Sequence, residues 1–180
     1  TVMRPMEAGA GGVMAAQVRT AAEADQFVRW AKFWPRGNRG ITGAGIDGKY
    51  TLIPQDEYAD QANRDTFVAI QIETLQAVEN IAEIAAVKDV DLLFVGPAAL
   101  AQSLGLTGQL DNPRCYETIE YIAAACRGAR KPWGIIARNS EYSSRWVDRG
   151  CRFLVLGADV ILAQRGIAAI KQGFAPFFVT

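Results

Sequence analysis

Histidine is missing from all 180 residues. Its absence removes the Ser-His and Cys-His nucleophile pairs and every His-ligated metal site. Any metal held by this chain must rest on oxygen ligands, which favours Mg²⁺ or Mn²⁺ over zinc. Cysteine is scarce: Cys115, Cys126 and Cys151 are odd in number, scattered, and never in a C-x-x-C arrangement. A disulfide framework or thiolate metal site is therefore not expected, and a reducing cytoplasm is the default. Net charge is lacking too, with 19 Lys+Arg against 19 Asp+Glu, so no field draws the chain to nucleic acid or an anionic membrane surface. No apolar run reaches the roughly 20 residues that span a bilayer. The start, Thr1-Val2-Met3, lacks the regions of a signal peptide and reads as the beginning of a fragment or processed chain.

What is present is a chain long enough for one domain, taken here as 1–180, with half its residues hydrophobic. Short apolar runs alternate with longer amphipathic stretches. Strands are expected at Gly12–Gln17, Thr66–Ile72, Asp91–Val95, Pro132–Ile136 and Phe153–Leu156. Thr20 and Glu23 make a capping-box pattern ahead of a helix with Ala24, Phe27, Val28 and Ala31 on one face. Further helices are expected from about Thr74 to Ala85, toward Leu104, after Asp111-Asn112-Pro113 with a buried stripe through Tyr116, Ile119, Ile122, Ala123 and Cys126, from Ser140 to Arg149, and from Val160 to Lys171. The Gly- and Pro-rich stretch from Trp34 to Gly48 reads as a long loop.

Strands that are apolar throughout are buried on both faces, as in a parallel sheet covered by helices. The fold class is therefore α/β. A closed (β/α) barrel has eight strands and typically ~250 residues, so five strands make either part of a TIM-type barrel or a small open doubly wound sheet. The doubly wound form ordinarily carries a Gly-rich turn after its first strand. Here Gln17-Val18-Arg19-Thr20 stands at that position, which favours the barrel portion.

Barrel chemistry sits where strands end and helices begin, and two such junctions are informative. In Gln71-Ile72-Glu73-Thr74, period-2 alternation points Gln71 and Glu73 to the same side. A carboxylate there can bind a divalent cation, or it can simply cap the following helix, where the dipole favours negative charge. In Phe94-Val95-Gly96-Pro97-Ala98-Ala99-Leu100, Gly96 permits close backbone approach and Pro97 fits a first helical turn. The N–H groups of Ala98 and Ala99 then either seat a substrate carboxylate or belong to an ordinary strand-helix turn.

In order and spacing, these motifs resemble the HpcH/HpaI aldolase/citrate lyase family. The resemblance runs through Glu7-Ala8-Gly9-Ala10-Gly11-Gly12-Val13-Met14, Thr20-Ala21-Ala22-Glu23-Ala24 and Pro35-Arg36-Gly37-Asn38-Arg39-Gly40. It continues over Gln71-Ile72-Glu73-Thr74, Glu83-Ile84-Ala85-Ala86-Val87 and Val90-Asp91-Leu92-Leu93-Phe94-Val95-Gly96-Pro97, then Gly134-Ile135-Ile136 and Phe153-Leu154-Val155-Leu156-Gly157-Ala158-Asp159. It implies a divalent-metal aldolase, a carbon-carbon lyase that cleaves or forms a 4-hydroxy-2-oxo acid through a pyruvate enolate, with an aldehyde as the other reactant. By position Glu73 matches a metal ligand, Gln71 a substrate contact, and the N–H groups of Ala98 and Ala99 the carboxylate seat. The resemblance further implies Mg²⁺ or Mn²⁺ and a homo-oligomer, a trimer or hexamer, whose C-terminal helix packs on a neighbour.

Three departures stand out. The family's second carboxylate ligand falls at Ala99, and its catalytic histidine and its arginine belong to earlier strands with no counterpart in this chain. The strands that would close the barrel are missing with them. The expectation is an impaired aldolase, against a non-catalytic barrel fragment kept for assembly or small-acid binding, or an unrelated nucleotide-binding α/β protein. Asp91 should lie at the opposite end of its strand from the site, Asp47 reads as a solvated loop acid, and Arg39 as a loop or subunit-contact residue. Trp133, Trp146 and Tyr116 are expected in the core, Asp159 is explained by helix capping, and the apolar ending Phe174–Phe178 by a subunit contact or a core.

Overall fold

The computed structural model describes residues 2–177. Five strands, β1 (Gly12–Ala15), β2 (Phe67–Ile72), β3 (Leu92–Val95), β4 (Trp133–Ile136) and β5 (Cys151–Val155), form one sheet. All four pairings are parallel and the spatial order is the chain order, β1 to β5. A doubly wound sheet reverses its strand order at a switch point. This sheet advances in one direction, as a barrel wall does, and it is open at β1 and β5.

Helices cross between the strands. α1 (Met3–Glu7) precedes β1; α2 (Ala21–Ala31) and α3 (Gln55–Asp65) lead to β2; α4 (Leu75–Glu79) and α5 (Ile81–Ala86) to β3; α6 (Pro97–Ser103) and α7 (Pro113–Gly128) to β4; α8 (Ser140–Val147) to β5; and α9 (Asp159–Gly173) ends the described chain with a 3₁₀ turn. The start signals behave as the sequence predicts. Thr20 and Glu23 close a full capping box on α2, and Asn112, ahead of Pro113, caps α7. The helix expected from Thr74 to Ala85 is instead two pieces that meet at Asn80, whose side chain turns away to donate to Arg19 O. Helices α1 and α3 are not anticipated by periodicity. α3 buries just Tyr58 and Asn63, too sparse a stripe to register.

Alternation sets the strand residues on two faces, although β3 is buried throughout. Val68, Ile70, Ile72, Leu93, Val95, Trp133 and Ile135 join the core beneath the helices, together with Val28, Ile84, Ile119, Ile122 and Trp146. Trp133 and Trp146 are fully buried and pack edge-to-face, while Tyr116 is half-buried and stacks on Trp146. The other face carries Met14, Phe67, Ile136 and Phe153, all exposed. A closed barrel fills that face with side chains.

The ends of the strands have different chemistry. At the N-terminal end, buried and half-buried polar groups act as clips. Lys32 Nζ donates to the carbonyls of Asn63 and Thr66, Lys131 Nζ to those of Val87 and Val90, and Asp91 accepts from Val68 N. Burial lowers the pKa of both lysines, because a low-dielectric surrounding disfavours the charged form.

The Trp34–Gly48 loop is pinned at that same end, and here one sequence expectation is corrected. Arg39 is buried at 7% exposure and pairs with Asp47 at 2.7 Å, while Tyr58 OH donates to the same carboxylate oxygen. Asp47 is thus a structural counter-ion and not a solvated acid, and Arg39 is held inside this protomer. A buried guanidinium requires that partner, and Asp47 is the nearby carboxylate that supplies it. The pair lines a cavity with Gly11 and Thr66, residues that precede β1 and β2, so it lies away from the strand ends where chemistry is expected. Burial, followed by the Asp47 hydrogen bond, pushes the Tyr58 phenol up to about 12.

The contrast with a surface pair is testable. Asp47→Ala leaves the Arg39 charge buried and unpaired, and should cost about 3 kcal/mol in urea unfolding. Asp25→Ala breaks the exposed Arg29 pair and should cost under about 1 kcal/mol. Equal losses would remove the Arg39–Asp47 pair as the anchor of the loop.

Candidate functional site

Three strand ends converge at the C-terminal edge of the sheet. Register places Ala15 beside Ile70 and Ile72 beside Val95. Gln17, Glu73 and Gly96, each just past its strand, are therefore neighbours. Thr74, not Glu73, caps α4, its hydroxyl accepting from Ala77 N. That rules out helix capping as the reason for the acid at position 73.

Glu73 is a buried carboxylate, 4% exposed. Its Oε1 accepts from the backbone N–H of Gln17 at 2.8 Å and from Gln17 Nε2 at 2.9 Å. Its Oε2 accepts from Gln71 Nε2. Gln71 and Glu73 thus share a side of the strand, as alternation requires. Three N–H donors on one carboxylate offset the loss of water around it, since an ionised acceptor forms stronger hydrogen bonds than a neutral one.

Gly96 leaves room for this arrangement. A Cβ there would stand 2.6 Å from Gln71 Nε2 and 2.9 Å from Glu73 Oε2. The close approach foreseen at Gly96 is therefore made by site side chains. Beyond it, Pro97 opens α6 and Leu100 N makes the first intrahelical bond, to Gly96 O. The N–H groups of Ala98 and Ala99 come before that bond, on residues that are exposed and half-exposed.

Gln17 is the residue that sequence reasoning missed. Its backbone is left-handed, at φ 59°, a conformation uncommon for a residue with a Cβ. That turn aims the main-chain N–H and the side-chain amide at the same oxygen. The available signal was position alone: Gln17 follows β1 as Glu73 follows β2. It also lines a cavity of about 620 Å³ with Met14, Glu23, Phe27 and Trp30.

Other reactive groups are committed elsewhere. Arg138, just past β4, holds Asp111 bidentately at 2.6 and 2.9 Å, and the Arg138 and Tyr116 hydrogen bonds hold the Asp111 carboxyl down at about 2. Burial pushes the Cys126 thiol up to about 12 and raises Cys115 and Cys151, so none is an activated thiolate. Asp91 lies at the opposite end, as expected. Asp159 does not cap α9; it occupies the first turn, accepting from Val160 N, while Ala158 is the cap residue.

Mg²⁺ and Mn²⁺ need several oxygen ligands, carboxylates prominent among them. Among the described residues no group of three or more acidic or thiol side chains gathers to hold a metal. Both oxygens of Glu73 already accept N–H bonds, Ala99 offers a methyl group, and Glu23 commits one carboxylate oxygen to the capping box. The residues present do not fit a divalent-metal centre.

Comparison with known proteins adds the following. The HpcH/HpaI aldolase/citrate lyase family model matches residues 2–165. A hydroxypyruvate/pyruvate aldolase of Delftia acidovorans is 33% identical over 164 residues, 91% of this chain and 61% of that protein. A 4-hydroxy-2-oxo-heptane-1,7-dioate aldolase of Shigella sonnei is 31% identical over 170 residues, 94% of this chain and 64% of that one. The chain thus spans less than two thirds of the length of these curated relatives. The crystal structure of an HpcH/HpaI aldolase from Desulfitobacterium hafniense superposes with a TM-score of 0.84 at 32% identity, covering 94% of this chain and 67% of that one. A family protein from Burkholderia cenocepacia superposes at 0.87 with 30% identity, over 97% and 68%.

Glu73→Gln keeps the shape but turns one acceptor into a donor, so one of the three N–H groups loses its partner. It should destabilise by about 1–2 kcal/mol in urea unfolding, whereas Glu79→Gln, on the exposed side of α4, should change little. A neutral Glu73→Gln would mean that the carboxylate is not held by these donors.

Proposed function

The chain belongs to the HpcH/HpaI aldolase/citrate lyase family, and from that premise we propose that it is an impaired aldolase-type carbon-carbon lyase acting on a 2-oxo acid such as pyruvate. The observation that carries the reading is the buried Glu73 with Gln71 at the C-terminal end of β2, facing the glycine that opens α6. This is where a parallel barrel wall does its chemistry. In this reading the N–H groups of Ala98 and Ala99 seat the substrate carboxylate, and Gln71 contacts the acid or its oxo group. The relatives whose names specify pyruvate or a 4-hydroxy-2-oxo acid supply the substrate class and the aldehyde co-product.

Impairment follows from what the site lacks. Ala99 carries no carboxylate, and the family's Mg²⁺ or Mn²⁺ does not fit the residues present. Developing enolate charge is left to a few N–H donors, a modest stabilisation for a carbon-carbon cleavage. The three amide bonds on Glu73 favour a second reading, in which the wall binds a small acid without turning it over.

Assembly as a trimer or hexamer belongs to the same proposal. No residue of α9 is buried, and Val160, Leu162, Ile167, Ile170 and Phe174 stand exposed. Phe174 and Phe177 therefore do not serve the core of this protomer; Phe178 lies outside the described residues. A second copy is the partner that this reading assigns to the helix. No helix among the described residues is long and apolar enough to cross a membrane.

Release of pyruvate from a 4-hydroxy-2-oxo acid in the presence of Mn²⁺ tests the activity. The native chain should run slowly but above a protein-free metal control, and Ala99→Asp should raise the rate about tenfold or more. No release from either folded form would support the non-catalytic reading. For assembly, light scattering should give three or six protomers, and Ile167→Lys should shift the population toward monomer. A native monomer would withdraw the role given to α9.

A further inference from the structure

We infer that Gln17 and Gln71 take the place of a divalent cation in this chain, making its site metal-independent. The inference rests on the proposed 2-oxo-acid reading for the identity of the ligand, but its geometry stands apart from that reading. Glu73 meets N–H donors on both of its oxygens, two from Gln17 and one from Gln71. A cation facing that carboxylate needs its lone pairs, and the polar hydrogens already there would repel the ion. Three of the four lone-pair positions of the carboxylate are taken, so a cation would find a single open position, on Oε2 beside the Gln71 amide, unless the amides turned over.

The backbone N–H is the firmer obstacle. A side-chain amide can flip, whereas the Gln17 N–H is fixed by a left-handed turn at φ 59°. The second carboxylate that could tip the balance toward a cation is absent, because position 99 is alanine. Gly96 completes the device, since any Cβ there would collide with the Gln71 amide. A neutral pair of amides thus compensates the negative charge through hydrogen bonds, a role that one divalent ion would otherwise take electrostatically. Gln17 is a positioning residue in this account: it acts on Glu73 and through it on what the site admits.

Mn²⁺ titration of the full chain, followed by the electron spin resonance of free Mn²⁺, is the test. The native chain should show no stoichiometric binding at millimolar Mn²⁺, with or without pyruvate. The side-chain amide NMR signals of Gln17 and Gln71 should escape paramagnetic broadening. In folded variants, Ala99→Asp with Gln17→Ala should bind one Mn²⁺ at least about tenfold more tightly than Ala99→Asp alone. A purely structural glutamine would not produce that gain. One Mn²⁺ bound by the native chain and lost in Glu73→Gln would overturn the inference, as would a double variant no tighter than the single one. Pyruvate binding is read separately by calorimetry in EDTA: if no form binds pyruvate, the 2-oxo-acid reading fails, while metal independence still stands or falls on the Mn²⁺ data.

Discussion

Parallel strands cannot be joined by tight turns, and each pair needs a crossover that returns the chain to the same end of the sheet. Four consecutive parallel pairings impose four such returns here. Because the order never reverses, every return advances the wall by one strand. This constraint places helices α2 and α4 to α8 on one face, collects Val68, Ile70, Leu93 and Ile135 beneath them, and brings every strand's C-terminal end to a single rim. Residues more than fifty positions apart, Gln17 and Glu73, become neighbours on that rim for no other reason.

Once Glu73 is buried there, its carboxylate must be given partners. Water is largely excluded at 4% exposure, and an unpaired carboxylate in such a place would cost several kcal/mol. The protein meets the need with amides. That choice links stability to function: donors that make the buried acid tolerable also occupy most of the lone pairs on which a cation would depend. The left-handed turn at Gln17, unfavourable by itself, is retained where it completes this arrangement.

The other rim solves a different problem. There Lys32, Lys131 and Arg39 are aimed at backbone carbonyls or at Asp47, tying loops to the bottoms of the strands. Conventional barrel logic assigns stability to this end and chemistry to the opposite one, and the polar groups of this chain divide accordingly. Met14, Phe67, Ile136 and Phe153 face outward from the sheet without cover, and α9 carries its apolar side chains on the surface.

Local pattern alone determined a good deal: five parallel strands to within a residue or two, the caps at Thr20 and Asn112, the shared side of Gln71 and Glu73, and the bottom-end place of Asp91. These are readable because apolar periodicity and capping act over a few neighbouring residues. The order of motifs likewise sufficed to reveal the family. Tertiary structure decided the rest. The unanticipated α3 is held chiefly through Tyr58 and Asn63, and Asp47, expected to be solvated, is paired with the buried Arg39 by packing that no local window contains. Gln17 shows the limit most clearly: neither its positive φ nor its three-way meeting with Glu73 and Gln71 is encoded in Gln-Val-Arg-Thr. Both arise when pairing register sets β1 beside β2, because the energy of a buried charge depends on which donors the fold brings within 3 Å.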